Sequence, residues 1–139
     1  MIILDTNVVS EPVQPRPSET VLRWFAAHDP KELFTTTITE AEALFGVARM
    51  PLGSRRVIIE KAMRALFDRS YQDRVLPFDR IATGTFADIV TTRMRMGLPI
   101  GMLDAQIAAI ARSRGAAVAT RDVKDFLHCG VEIINPWSD

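Results

Sequence analysis

Short apolar runs alternate with longer amphipathic stretches along this chain, and the alternation sets its architecture. Residues 2–4, Ile-Ile-Leu, are continuously apolar before Asp5, and a run this short predicts a strand buried on both faces. Residues 33–37, 75–78, 116–119 and 131–134 are similar β-branched or apolar runs and predict four more strands. Between them apolar positions recur at helical spacing. Ser18 is a fitting N-cap for a helix with Val21, Leu22, Phe25 and Ala26 on one side, stopped at Asp29-Pro30. Thr39 suits the cap of a helix over 40–50, marked by Ala43, Leu44, Val47 and Ala48 and halted by Pro51 and Gly53. Ser54 starts another that reaches about Tyr71, with Ile58, Ile59, Ala62, Met63 and Leu66 facing inward and Arg55, Arg56, Lys61 and Arg64 outward. Asp79 caps a helix over 81–96 that Gly97-Leu98-Pro99 ends. A last long helix spans 103–114, with Ile107, Ile110 and Ala111 on one face and Gly115 after its end. Residues 123–127 suit one helical turn, and Pro12, Pro15 and Pro17 make 11–17 a surface loop.

Strands alternating with helices of this length predict a central parallel sheet covered on both faces, an α/β/α three-layer sandwich formed by residues 1–139 as a single domain. In such open sheets ligands bind beyond the carboxyl ends of the strands, where the strand order reverses. Asp5 and Asp122 fall at or just past two such ends, and Glu42 and Asp104 fall in the first turns of helices.

The composition narrows the chemistry. With 139 residues and 47% hydrophobic content the chain can bury one core without disulfides or structural metal. Its 17 basic and 17 acidic residues cancel, so nothing global attracts nucleic acid or an anionic membrane, and a polyanion must be held locally. Cys129 is the single cysteine, which excludes an internal disulfide and a cysteine-built zinc site and fits a reducing cytoplasm. No apolar run approaches the roughly 18 residues of a membrane span and no leader-like segment is recognisable, so a soluble cytoplasmic chain is expected.

Each acid has a plain structural account. Asp5 suits a turn at a strand end, Thr39 and Glu42 fit a capping box, Asp104 is favoured by a helix dipole, and Asp122 suits a turn or a salt bridge. Taken together they point elsewhere, because four carboxylates gathered at one sheet edge repel unless a cation or proton neutralises them. An all-oxygen donor set without histidine or cysteine selects a hard cation, Mg²⁺ or Mn²⁺. Such an ion activates water and stabilises charge on a phosphoryl group, which suggests phosphodiester hydrolysis.

Four stretches carry a specific resemblance: ILDTN at residues 3–7, T-x-A-E-x-x-x-G-V at 39–47, D-x-x-I-A-A-x-A at 104–111, and A-T-R-D at 119–122. Through them the chain resembles the PIN-domain ribonucleases, in particular VapC-type toxins of toxin–antitoxin pairs, and the LDTNVVSE opening with Asn135-Pro136-Trp137 near the end is similar to the FitB-like branch. The resemblance covers essentially the whole chain. It implies a PIN fold and a metal-dependent endoribonuclease, with Asp5, Glu42, Asp104 and Asp122 holding Mg²⁺ or Mn²⁺. Asn7, Thr120 and Asp125 match supporting positions that orient carboxylates or water. It further implies a VapB-like antitoxin that blocks the acidic pocket, an RNA substrate, operator DNA reached through the antitoxin, and a homodimer or a dimer of toxin–antitoxin heterodimers.

Other readings stay open on the residues alone: a stand-alone RNA-processing nuclease, or a non-catalytic, antitoxin-linked DNA-binding regulator. A haloacid-dehalogenase-type phosphomonoesterase needs a second aspartate two residues after the first, where this chain has Asn7. Arg121 beside Asp122 is placed for a phosphate contact, whereas Arg93 and Arg95 read as a solvated helix face. Trp24, Phe25 and Phe45 read as core or partner groove, and His28 and His128 as uninvolved in catalysis. Glu11, Asp79 and Asp88 read as structural or surface acids.

Overall fold

The computed structural model describes residues 1–138. Ile2–Leu4 form β1, the centre of a five-stranded parallel sheet with Leu33–Thr36 (β2), Val75–Leu76 (β3), Ala117–Ala119 (β4) and Ile133–Ile134 (β5) in the order β3-β2-β1-β4-β5. Ile3 stands opposite Phe34 on one side and Val118 on the other. Side chains alternate across a strand, so Ile3 and Val118 enter one core, with Ile89, Ile107, Ile110 and Phe126, while Leu4 and Ala119 enter the other, with Val8, Val9, Leu33 and Phe67. Two cores on opposite faces of one sheet make the expected three layers.

The first core is covered by Arg80–Arg95 (α5), Met102–Ser113 (α6) and the short Val123–Phe126 (α7). In α6 Ala105, Ile107, Ala108, Ala109, Ile110 and Ala111 are all buried, the alanines allowing the helix to lie close to the sheet and to α5. The second core is covered by Thr6–Ser10 (α1), Glu19–Ala26 (α2) and Leu66–Ser70, a π-helical turn that continues Ser54–Ala65 (α4). Thr37–Ala48 (α3) sends Ile38 to the first core and Ala43 to the second. The chain builds β1, β2 and β3 outward in one direction and then returns to place β4 on the other side of β1. The order therefore reverses between β1 and β4, and the crevice beyond their carboxyl ends is where ligands bind in this class of sheet.

Several expectations are corrected. The turn after Asp5 is a full helix, α1, followed by a 3₁₀ turn at Glu11–Val13 inside the predicted loop. The strands β3 and β5 are two residues each, shorter than their apolar runs. The helix predicted over 40–50 begins earlier, at Thr37, because the cap is Thr36, whose Oγ1 accepts the Thr39 amide at 3.1 Å. Ser54 is the first helical residue of α4 rather than its cap; Gly53 precedes it at a φ of 151° that favours glycine. No residue of α4 is buried, and Ile58, predicted to face inward, is 66% exposed, with Ala62 also exposed and Ile59, Met63 and Leu66 half-buried.

Candidate active site

Asp5 continues the sheet: its amide donates to the Ala119 carbonyl at 2.9 Å, as the next rung between β1 and β4. Its carboxylate then caps α1 through Oδ1, which accepts the Thr6 amide at 2.8 Å, while Oδ2 accepts the Thr120 hydroxyl at 2.9 Å. Only 6% of Asp5 is exposed. Burial pushes its carboxyl above the usual range in spite of these two donors, and the charges of Asp122 and Asp125 push it further. Thr120, fully buried, also accepts the Asp122 amide at 3.0 Å, so one hydroxyl aligns both aspartates. The Asn7 side-chain amide donates to Asp122 Oδ2 at 3.0 Å, which spends it as an orienting donor and leaves no acid at the position a haloacid-dehalogenase mechanism requires.

Glu42 does not serve a capping box. With Thr36 as cap, the third residue of the helix is Thr39, and Glu42 lies almost a turn further on, where its Oε1 accepts the Thr6 hydroxyl at 3.3 Å. Burial and the Asp5 charge raise its carboxyl, the Thr6 bond opposing them. Thr6, between Asp5 and Asn7 in the chain, thus contacts both Asp5 and Glu42, a part that the motif alone does not assign to it. Asp104 enters from the first turn of α6 and is the most perturbed of the set, pushed up to about 6 by burial and then by the charges of Asp5, Asp125, Glu42 and Asp122. Asp125, in α7, thus belongs electrostatically to the same group.

Asp5, Glu42, Asp122 and Asp125 all lie near enough to act on Asp104 through their charges, and among the described residues none of the five forms an ion pair. Among the described residues no three Asp, Glu, His or Cys side chains already form a coordination shell. A hard divalent cation, which takes oxygen ligands and can keep waters in its shell, is the group to weigh against this set. The chemistry of the donor set agrees, since every side chain offered is an oxygen donor. His28 is occupied elsewhere, its Nδ1 at 2.7 Å from the Trp24 carbonyl. Cys129 is a buried free thiol whose pKa burial raises.

The basic and aromatic candidates divide. Arg121 is exposed beside Asp122 and places its guanidinium 5.0 Å from the Trp137 ring. Arg93 is not part of a solvated face: it is buried and donates to backbone carbonyls, whereas Arg95 is exposed as predicted. Phe45 is not core; it is 63% exposed beside Glu42, in a hollow of about 240 Å³ with Ile38, Ala41 and Leu103. Trp24 and Phe25 are half-buried against the second core. Glu11 and Asp79 are structural, accepting the Ser18 and Ala82 amides.

The PIN domain family matches residues 2–130, a span that carries all of these acids. The chain belongs to the PIN family. This PIN domain is 42% identical over 137 residues to "VapC ribonuclease Y4jK" of Sinorhizobium fredii, covering 99% of this chain and 98% of the relative. It is 34% identical to "Toxin FitB" of Neisseria gonorrhoeae over the full length of both. Among solved structures, that of FitAB bound to an IR36 DNA fragment superposes with a TM-score of 0.93 at 34% identity, covering 100% of this chain and 97% of that one.

Proposed function

We propose that this PIN domain is the endoribonuclease toxin of a toxin–antitoxin pair, hydrolysing RNA phosphodiester bonds with a divalent cation. The observation that carries the reading is the convergence of Asp5, Glu42, Asp104, Asp122 and Asp125 at the β1/β4 switch point, with Asp104 pushed up to about 6 by burial and by the charges of the other four. Kinship to proteins named VapC ribonuclease and Toxin FitB supports the activity and the toxin role. Asp5, Glu42, Asp104 and Asp122 would hold the metal, Mg²⁺ or Mn²⁺, with Asn7, Thr120 and Asp125 in support. When bound, such an ion supplies a Lewis acid that lowers the pKa of water and stabilises charge developing on a phosphodiester.

The chain's own residues do the positioning. Thr120 and the Thr6 amide hold the Asp5 carboxylate in one orientation, Asn7 holds Asp122, and the Thr6 hydroxyl holds Glu42. Raised only to about 6, the Asp104 carboxyl is mostly ionised at neutral pH, so it meets a metal with little proton to release. Arg121, exposed next to Asp122, is the arginine we assign to a backbone phosphate.

A VapB-like antitoxin is the expected partner, and operator DNA is reached through it; the FitAB assembly on DNA supports this arrangement. The toxin's surface accords with a large partner, or with a homodimer, since a cleft of about 430 Å³ between α3 and α4 is rimmed by the exposed Phe45 and by α4, whose Val57 and Ile58 are also exposed. Among the described residues no helix is long and apolar enough to cross a membrane. We assign the cytoplasm on the free buried thiol and the toxin role. We read residues 1–139 as one PIN domain, since Trp137, beyond the family match, packs on the second core.

The test is cleavage of RNA by the purified chain with Mg²⁺ or Mn²⁺, and its loss in Asp5→Asn and Asp104→Asn variants that keep the native circular dichroism. Retained cleavage in both variants would sink the assignment of the site.

A further inference from the structure

Outside the acidic site, one charged side chain is buried among the described residues. Arg93, in the last turn of α5, is 5% exposed. A buried cation is tolerated only where its donors are met, and here carbonyl oxygens meet them. Nε donates to Leu98 O at 2.7 Å, and Nη1 donates to Leu127 O at 2.7 Å, Asp125 O at 3.2 Å and Lys124 O at 3.5 Å. Among the described residues no carboxylate pairs with it. The position of those carbonyls gives the arrangement its meaning. Leu98 opens the connection that enters α6 and brings Asp104, while Lys124, Asp125 and Leu127 belong to α7 and the turn after it, directly following Asp122.

We propose that Arg93 is a positioning residue of the metal site, clamping the Asp104-bearing and Asp125-bearing segments together so that their carboxylates face one ion despite mutual repulsion. The inference rests on the metal reading above. Arg93 acts through backbone, not as a counter-ion, since its guanidinium is turned to four carbonyls rather than to the acids. Two segments of like charge meeting at a point need a tie, and α7, only four residues long, has little helix of its own to hold it. A guanidinium suits the task because its donors form a fixed fork that spans both segments, whereas an ammonium is a single point of donation. Groups that orient metal ligands from outside the coordination shell affect affinity about 10–100-fold when replaced.

The experiment is calorimetric titration of Mn²⁺ into the full chain, without RNA, at a temperature where each variant is folded. Wild type binds, Arg93→Met binds on the order of tenfold or more weakly, and Arg93→Lys falls between them. Val21→Ala, which opens a cavity at a fully buried position of α2, lowers the melting temperature but keeps the affinity. Amide exchange over residues 122–127 quickens in Arg93→Met. If Arg93→Met fails to fold, Arg93→Lys carries the comparison by the same criterion. Unchanged Mn²⁺ affinity in the folded Arg93 variants overturns this inference and leaves the metal site standing, as does an equal loss of affinity in Val21→Ala. No Mn²⁺ binding by wild type overturns the metal reading and this inference with it.

Discussion

Asp104→Asn removes one negative charge from a group of five and, among the described residues, breaks no hydrogen bond, since no donor reaches the Asp104 carboxylate. The carboxyl is raised from 3.8 to about 6, which at about 1.4 kcal/mol per pH unit penalises the native state by roughly 3 kcal/mol above pH 6. The group is half in contact with solvent, so screening reduces this to about 1.5 kcal/mol. Asn also forgoes the favourable helix-dipole interaction of a carboxylate in the first turn of α6, about 0.5 kcal/mol. The metal-free variant should therefore be more stable than wild type by about 1 kcal/mol at pH 7.5, or about 3 °C in melting temperature for a domain of this size. The sign follows from linkage. An acid that binds its proton more tightly when folded destabilises the native state above its folded pKa, and the penalty fades as pH falls through 6 toward 3.8. Thermal unfolding in EDTA from pH 4 to 8 should show the advantage of Asp104→Asn present at pH 7.5, shrinking below pH 6 and gone near pH 4. Saturating Mn²⁺ should reverse the order, because only wild type gains fully from ligand binding, about 2.7 kcal/mol at a hundred times Kd. A variant no more stable than wild type in EDTA at pH 7.5, or a difference independent of pH, would refute the reasoning.

Thr36→Ala should cost about 1 kcal/mol in urea unfolding through loss of the α3 cap, whereas Glu42→Ala should leave metal-free stability within about 0.5 kcal/mol while removing RNA cleavage; a large stability loss in the latter would restore the capping role of Glu42. Thr120→Val strands the Asp122 amide and one Asp5 oxygen, so it should cost about 1–3 kcal/mol in urea unfolding and weaken Mn²⁺ binding in calorimetry. Adding EDTA to the purified chain should stop RNA cleavage, and Mg²⁺ or Mn²⁺ should restore it, read on a denaturing gel.

Much of the fold is written locally. Ile2 to Leu4 are apolar without interruption because β1 is central and buried on both faces, and Ser18 and Asp79 announce helices that they do cap. The caps of α3 are the counter-case. Thr36, Thr37 and Thr39 offer near-equivalent hydroxyls, and the choice among them is made by β2, which pairs Thr36 with Leu76 and so carries extended backbone up to Thr36 itself. Arg93 and Arg95 look alike in the chain. Arg93 follows Ile89 by four residues and shares its buried stripe with Ala82, but only the tertiary fold, which brings the α7 carbonyls up beside that of Leu98, makes its burial tolerable. In α4 the amphipathic pattern packs only partly, against α3 and the turn that continues α4, so periodicity alone overstates its burial.

The sequence by itself determined most of the elements, their parallel stacking and the four principal acids, because periodicity, capping and residue chemistry act within a few neighbours. Tertiary structure decided what those acids do to one another. Asp5 and Asp122 are more than a hundred residues apart in the chain and share one threonine hydroxyl only because β4 returns to lie beside β1. That return also brings Asp104 and Asp125 within range of both, and Coulomb repulsion depends on distance in space, which no local pattern encodes.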